Sequence, residues 1–267
     1  MSGADRARRR AARGWAGGAP RPAAPLAWRA LLTIFRAIAA GLGLRLRVEG
    51  REHIPDGPCL IAAAPHRTWL DPFVLLFALP AEPRVYFLGD GEAMYRDALR
   101  AFFMRRLGGV VPVWRGSRGI ETHVDAARAI VGAGARLALF PERGPAVPID
   151  RARPLAWGVG YFALRSGAPV VPAVIGGTHE LYLGRRVAVR FLAPIGPPGA
   201  IGPTGAAPDQ GRPRVDGTTE GADRAAAHAI VRELDTAIAP HVPELLRATE
   251  PAPGFTKRWR WLTAAFR

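Results

Sequence analysis

Apolar residues along the middle of this chain fall into two rhythms. Short, nearly continuous apolar runs predict strands at 44–49, 58–63, 84–88, 110–113, 136–140, 169–175 and 187–191. Between them, apolar positions three and four apart predict helices near 72–79, 92–107, 119–133 and 157–166. Strand and helix in alternation imply an α/β fold with a mixed, partly parallel sheet flanked by helices. In such sheets the working residues gather in the loops beyond the strand ends.

Upstream of this core, Trp28, Leu31, Leu32, Phe35, Ile38, Ala39 and Leu42 share one helical stripe, while Arg29, Thr33, Arg36 and Gly43 occupy the other face. Arg29 and Arg36 interrupt the run, so the segment predicts an amphipathic helix and not a spanning one, which needs about 18–20 apolar residues. Such a helix lies on a membrane surface or packs on its own domain, and the pattern alone leaves both open. The basic stretch before it lacks the apolar region and cleavage site of a signal peptide. Downstream, 194–223 is rich in Pro, Gly, Thr and Ala and predicts a mobile excursion, followed by a helix over about 222–239. The resulting organisation is a disordered basic N-terminus (1–25), an amphipathic membrane-associated helix (26–43), an α/β core (44–193), a mobile loop (194–223) and a C-terminal helix with a basic aromatic tail (224–267).

Charge narrows the range of functions. The 267 residues carry a formal net charge of +15, and Lys257 is the sole lysine. That removes a P-loop nucleotide site and any lysine Schiff base outside the C-terminal tail. Cys59 is the sole cysteine, which excludes an intrachain disulfide, a Cys-x-x-Cys redox pair and a cysteine zinc cluster. More than half of the excess charge sits at the two ends, in six arginines before residue 25 and in Lys257, Arg258, Arg260 and Arg267. Trp and Phe interleave with the last group, a combination suited to an anionic membrane surface, with an RNA-binding or merely solvated tail as the competing readings. No nucleic-acid recognition module is discernible, and nucleic acid is not an expected partner.

The most informative segment is Pro65-His66-Arg67-Thr68-Trp69-Leu70-Asp71-Pro72, after a strand and before an apolar helix. Residues five apart diverge by about 140° on one helix, so His66 and Asp71 meet only if His66 lies in the loop and Asp71 at the helix start. Asp as N-cap and Pro as first helical residue suit that arrangement. A carboxylate facing an imidazole fixes its tautomer and stabilises the imidazolium formed on taking a proton, as a general base requires. An N-cap Asp beside an exposed loop histidine would look the same. Elsewhere, Gly158-x-Gly160-x-x-Ala163 lacks the context of a dinucleotide site and reads as helix packing. His179 follows a strand as a loop histidine or cleft lining. His53, His123, His228 and His241 show no metal-ligand spacing, and Gly-x-Ser-x-Gly is absent.

Taken with later pieces, this segment resembles the glycerolipid acyltransferase family, which includes lysophosphatidic acid acyltransferases. His66-x4-Asp71-Pro72 is similar to the first family motif, with histidine as base and aspartate as its partner. Gly109-Val110-Val111-Pro112-Val113-Trp114-Arg115 resembles the second, whose arginine is associated with the acceptor phosphate. Phe140-Pro141-Glu142 resembles the opening of the third, and Val170-Val171-Pro172-Ala173 the fourth. The likeness runs over roughly 44–192. It departs at Trp114, and at Arg143-Gly144-Pro145, where the family continues Gly-Thr-Arg-Ser. The resemblance implies transfer of a fatty acyl group from an acyl thioester, on coenzyme A or acyl carrier protein, to a lysophospholipid hydroxyl. 1-acyl-sn-glycerol-3-phosphate giving phosphatidic acid is the leading case. It implies His66 and Asp71 as catalytic and Arg115, Glu142, Arg143 and Gly144 as substrate-binding, with backbone N–H groups at 142–144 as oxyanion donors. No metal or organic cofactor is indicated. The expected location is the cytoplasmic face of the cell membrane, peripherally bound. The alternatives are another glycerolipid acceptor and a non-catalytic lipid-binding protein of the same fold.

Overall fold

The computed structural model describes residues 20–90, 109–113, 121–144, 147–197, 217–252 and 254–259. The expected helix at 92–107, the basic stretch before residue 20, Trp114 and Arg115, and the last residues of the aromatic tail lie outside them. The elements in chain order are α1 (Leu26–Gly41), β1 (Arg45–Glu49), β2 (Leu60–Ala64), α2 (Asp71–Ala78), β3 (Val85–Asp90), β4 (Val110–Val113), α3 (Glu121–Gly132), β5 (Arg136–Leu139), α4 (Gly158–Ser166), β6 (Val170–Gly176), β7 (Arg186–Phe191), α5 (Gly217–Ile238) and α6 (His241–Thr249). A single 3₁₀ turn, Arg51–His53, follows β1.

Seven strands form one sheet in the order β1-β7-β6-β2-β5-β3-β4. All neighbours are parallel except β6 and β7, which run antiparallel. The fold class is therefore as the sequence predicts, a mixed and mostly parallel α/β sheet. Central strands read as unbroken apolar runs because both faces are covered. Every residue of β2, Leu-Ile-Ala-Ala-Ala, is buried. Leu60, Ala62 and Ala64 enter a core beneath α3, α4, α5 and α6. Ile61 and Ala63 enter the opposite core with Leu32 of α1 and Val74 and Leu75 of α2. Such alternation pins the strand's register, since a one-residue slip would exchange the two faces.

Small residues set the helix spacing on the first of these faces. A Cβ built on Gly160 of α4 would sit 2.2 Å from the Ala227 carbonyl oxygen of α5. Helix packing is thus the role of Gly160. In the segment expected to be mobile, Ile195 is bridged to Val170 and α5 already begins at Gly217. α6, absent from the predicted elements, packs along β6 and β7.

The parallel strands β2 and β5 end side by side, which brings the loop at 65–70 next to the loop at 140–144. α2 then carries the chain back along the sheet. Asp71 opens α2 with Pro72 behind it, as the spacing requires. Its carboxylate does not cap its own helix, however. α2 has Leu70 as N-cap and no side-chain cap, and the Asp71 side chain turns back into the preceding loop.

Candidate active site

The site is built around one buried carboxylate oxygen. Asp71 Oδ2 accepts hydrogen bonds from His66 Nδ1 at 2.9 Å, the Arg67 backbone N–H at 2.6 Å and the Thr68 backbone N–H at 2.8 Å. Asp71 is fully buried, and its Oδ1 has no hydrogen-bond partner. A carboxylate removed from water must be compensated by donors, and these three supply that compensation while fixing the loop. The Asp71 bond commits Nδ1 of His66 and leaves Nε2 as the nitrogen free to take a proton. The histidine side chain is 41% exposed, so Nε2 is open to a substrate. Behind it, the ring stacks on Phe140 with centroids 4.2 Å apart.

Glu142 holds the same histidine from its backbone. Its Oε2 accepts the His66 N–H at 2.9 Å and its Oε1 accepts the Arg153 N–H at 2.7 Å. The side chain expected to bind substrate is therefore tied to two loops through both of its oxygens. Arg143, next along, is exposed, and its backbone N–H donates to the Pro154 carbonyl at 3.1 Å. That bond withdraws one of the expected oxyanion donors. Gly144 is exposed with φ +90°, a left-handed conformation suited to glycine. Arg115 lies outside the described residues. Only the strand before it is seen, as the edge strand β4 paired with β3.

Several contributors carry no local sequence signal. Arg67 reaches with Nη2 to the carbonyls of Pro148, Ile149 and Arg151, joining the histidine loop to the segment after the third motif. Phe140 presses on the imidazole. An apolar pocket of about 150 Å³ opens against this loop, walled by Trp69, Leu70 and Phe73 on one side and by Phe35 and Ile38 of α1, with Leu42 just after that helix, on another. Its composition would have been legible only to someone who already knew that α1 packs beside α2. His179 sits instead in the loop after β6, where its Nε2 lies 3.8 Å from Glu250. Burial first, and then Arg185, hold its pKa below the usual histidine value.

Residues 45–176, from the first residue of β1 to the last of β6, match the family model described as Acyltransferase. No curated protein sequence matches the chain. Among solved structures, the chain is similar to the 1-acyl-sn-glycerophosphate (LPA) acyltransferase PlsC from Thermotoga maritima. The TM-score is 0.49 at 18% identity, covering 78% of this chain and 79% of that one. The matched segment contains both the His66–Asp71 loop and the Glu142 loop, and by that match the α/β core of this chain belongs to the acyltransferase family.

Proposed function

We propose that the chain moves a fatty acyl group from an acyl thioester to the free hydroxyl of a lysophospholipid, with 1-acyl-sn-glycerol-3-phosphate as acceptor and phosphatidic acid as product. The observation that carries this reading is the His66–Asp71 pair, with Nδ1 tied at 2.9 Å and Nε2 free on a half-exposed ring. Nε2 removes the acceptor hydroxyl proton as that oxygen attacks the thioester carbonyl. The tetrahedral oxyanion then collapses, the C–S bond breaks, and the departing thiolate takes the proton back from His66. Ester and thiol are the products, no acyl-enzyme forms and the histidine ends as it began. Base catalysis of this kind supplies roughly 10² to 10⁴ in rate, and holding the two substrates together supplies much of the rest.

Other residues take roles around this centre. Asp71 orients the imidazole and stabilises its protonated form. Glu142 acts as a positioning residue through the His66 amide, and Phe140 backs the ring. Arg143, one residue beyond Glu142 and exposed, is our candidate for the acceptor phosphate together with Arg115, since a guanidinium offers a fork of donors. With the Arg143 N–H spent on Pro154, the backbone N–H groups of Glu142 and Gly144 are the remaining candidate donors for the oxyanion. The pocket lined by Trp69, Leu70, Phe73 and α1 is the proposed seat of an acyl chain.

The same reading puts the enzyme on the cytoplasmic face of the cell membrane. Among the described residues no helix is long and apolar enough to cross a bilayer. Leu26, Ile34 and Ile38 of α1 and the neighbouring Trp69 are exposed, and the chain is strongly basic. An anionic surface attracts each nearby Lys or Arg by about 1 kcal/mol. Vesicle binding should therefore rise with anionic lipid and fall with salt, and equal binding to neutral and anionic vesicles at every salt concentration would defeat the electrostatic part.

Transfer from acyl-CoA and from acyl carrier protein to a panel of lysophospholipids and uncharged glycerides tests the function. Lysophosphatidate as best acceptor supports the full reading. Transfer only to another acceptor keeps the mechanism and removes the phosphate assignment. Absence of transfer from either donor favours a lipid-binding protein.

A further inference from the structure

A second cavity lies at the other end of the sheet, where β2 and β5 begin. It has a volume of about 540 Å³ and is bounded by Arg36 of α1, Arg51 of the 3₁₀ turn, Ile54 and Asp56 before β2, Phe77 near the end of α2 with Leu79, Pro80 and Ala81 just after it, and Arg136 at the start of β5. His66 lies just beyond the far end of β2, and Asp71 stands at the far end of α2, as its first residue. The acyl-transfer site and this cavity are thus separated by the length of a strand and an eight-residue helix of about 12 Å.

The cavity's chemistry is cationic in a way the fold does not require. Arg136 is only 2% exposed. Its Nη2 donates to the Pro55 carbonyl at 2.8 Å and the Cys59 sulfur, a weak acceptor, is the other partner of the side chain, while Nε and Nη1 have no hydrogen-bond partner. A buried guanidinium with donors left over is costly, and proteins ordinarily satisfy it. The neighbouring Cys59 does not neutralise it, because burial pushes that thiol up to about 11 and keeps it protonated. Arg36 spends Nη2 on the carbonyls of Leu76, Phe77 and Leu79, which also cancels the negative end of α2. Arg51 is exposed and makes no ion pair among the described residues. Against these three guanidinium groups the wall holds one acid, Asp56, whose charge reaches Arg136. Two positive charges therefore remain in excess.

We propose that this cavity binds a phosphate-bearing anion, with Arg136 as its buried anchor and Arg51 and Arg36 as its rim. Guanidinium groups are the residues of choice for phosphate, and an apolar edge of Phe77, Leu79 and Pro80 lets a phosphate ester lay its organic part beside the charge. A lipid headgroup and a soluble phosphate share this chemistry. The site does not depend on the assignment of the acyl-transfer residues.

The test uses the full chain with inorganic phosphate and pyrophosphate against chloride at matched ionic strength, read by melting temperature and by calorimetry. A parallel arm measures binding to phosphatidylcholine vesicles with and without phosphatidate. Arg143→Ala, which disarms the proposed acceptor-phosphate site, should keep the response to the soluble anions that belongs to this cavity. Arg51→Ala, an exposed change that leaves the core alone, should bind roughly tenfold or more weakly, and Arg136→Gln should lose the response. Acyl transfer by Arg51→Ala, measured in the absence of added phosphate, should equal wild type. A loss in Arg51→Ala confined to phosphatidate vesicles identifies a headgroup site, and a loss with pyrophosphate identifies a soluble ligand. Equal binding by wild type and Arg51→Ala in both arms, or a response that depends on Arg143 in place of Arg51, overturns the proposal.

Discussion

Replacing Asp71 with asparagine separates the carboxylate's charge from its shape. Its Oδ2 receives three donors, so the asparagine must present its carbonyl oxygen to them and turn its amide into the position of Oδ1. That position has no acceptor, which leaves a buried NH₂ group unpaired. Three charge-assisted bonds become neutral ones at about 1 kcal/mol each, partly offset because a charge need no longer be kept out of water. The net cost to stability is about 2 kcal/mol, a fall in melting temperature of roughly 4–8 °C for a chain of this size. Turnover should fall much further. His66 keeps its tautomer and place but loses the negative charge that stabilises its protonated form, and kcat should drop by roughly 10² to 10⁴. This corresponds to about 3–5 kcal/mol of transition-state stabilisation at 1.36 kcal/mol per decade. The assay is thiol release from acyl-CoA at saturating acceptor, with a melt recorded on the same sample. A folded Asp71→Asn variant within tenfold of wild-type kcat would refute the pairing as catalytic. If activity is lost only where the protein unfolds, Asp71 is a structural tie alone.

Further expectations concern the scaffold. Gly160→Ala places a Cβ 2.2 Å from the Ala227 oxygen and must part α4 from α5, costing about 1–3 kcal/mol; an unshifted melt would contradict the close approach. Cys59 is buried with its thiol pushed up to about 11, so thiol reagents at mildly alkaline pH should label it only on unfolding, and rapid labelling of native protein would refute its burial. Glu244 hydrogen-bonds to Arg190 and His241, which hold its carboxyl down at about 2 against an ordinary 4.5. A carboxyl lowered by folding stabilises above its ordinary value and loses that contribution as pH falls through the folded one. Wild type should therefore out-melt Glu244→Gln near neutral pH by a margin that shrinks between about pH 4.5 and pH 2 and in high salt, and a margin independent of pH would be contrary.

The sheet was legible because its strands are short, apolar and separated by helices long enough to cross over, and all seven lie within two residues of their predicted bounds. α6 was not legible, since Pro243 near its start and only nine residues give little periodicity. α5 begins before the predicted start because Gly217, Thr218, Thr219 and Gly221 have weak helix propensity and hide its first turn. At the site, the spacing of His66 and Asp71 foretold their meeting, and Asp-Pro foretold where the helix starts. The carboxylate faces the imidazole as expected, but the N-cap role that Asp-Pro suggested is not taken up: three donors in the preceding loop draw the side chain backward, and Leu70 stands at the cap. Glu142 was found as a motif residue but not as a tie between loops. Its partners are backbone amides of His66 and Arg153, and a backbone amide leaves no mark in the choice of residue type.

The measurement that bears most directly on this account is acyl transfer to lysophosphatidate in anionic vesicles by wild type and by His66→Ala, with the fold of the variant checked by its melt. The account predicts phosphatidate formation by the wild type and its loss in a variant that remains folded, because removing the imidazole takes away the base while Asp71 still holds the loop amides. Near-wild-type transfer by His66→Ala would contradict the assignment of the base, and with it the mechanism proposed for this acyltransferase.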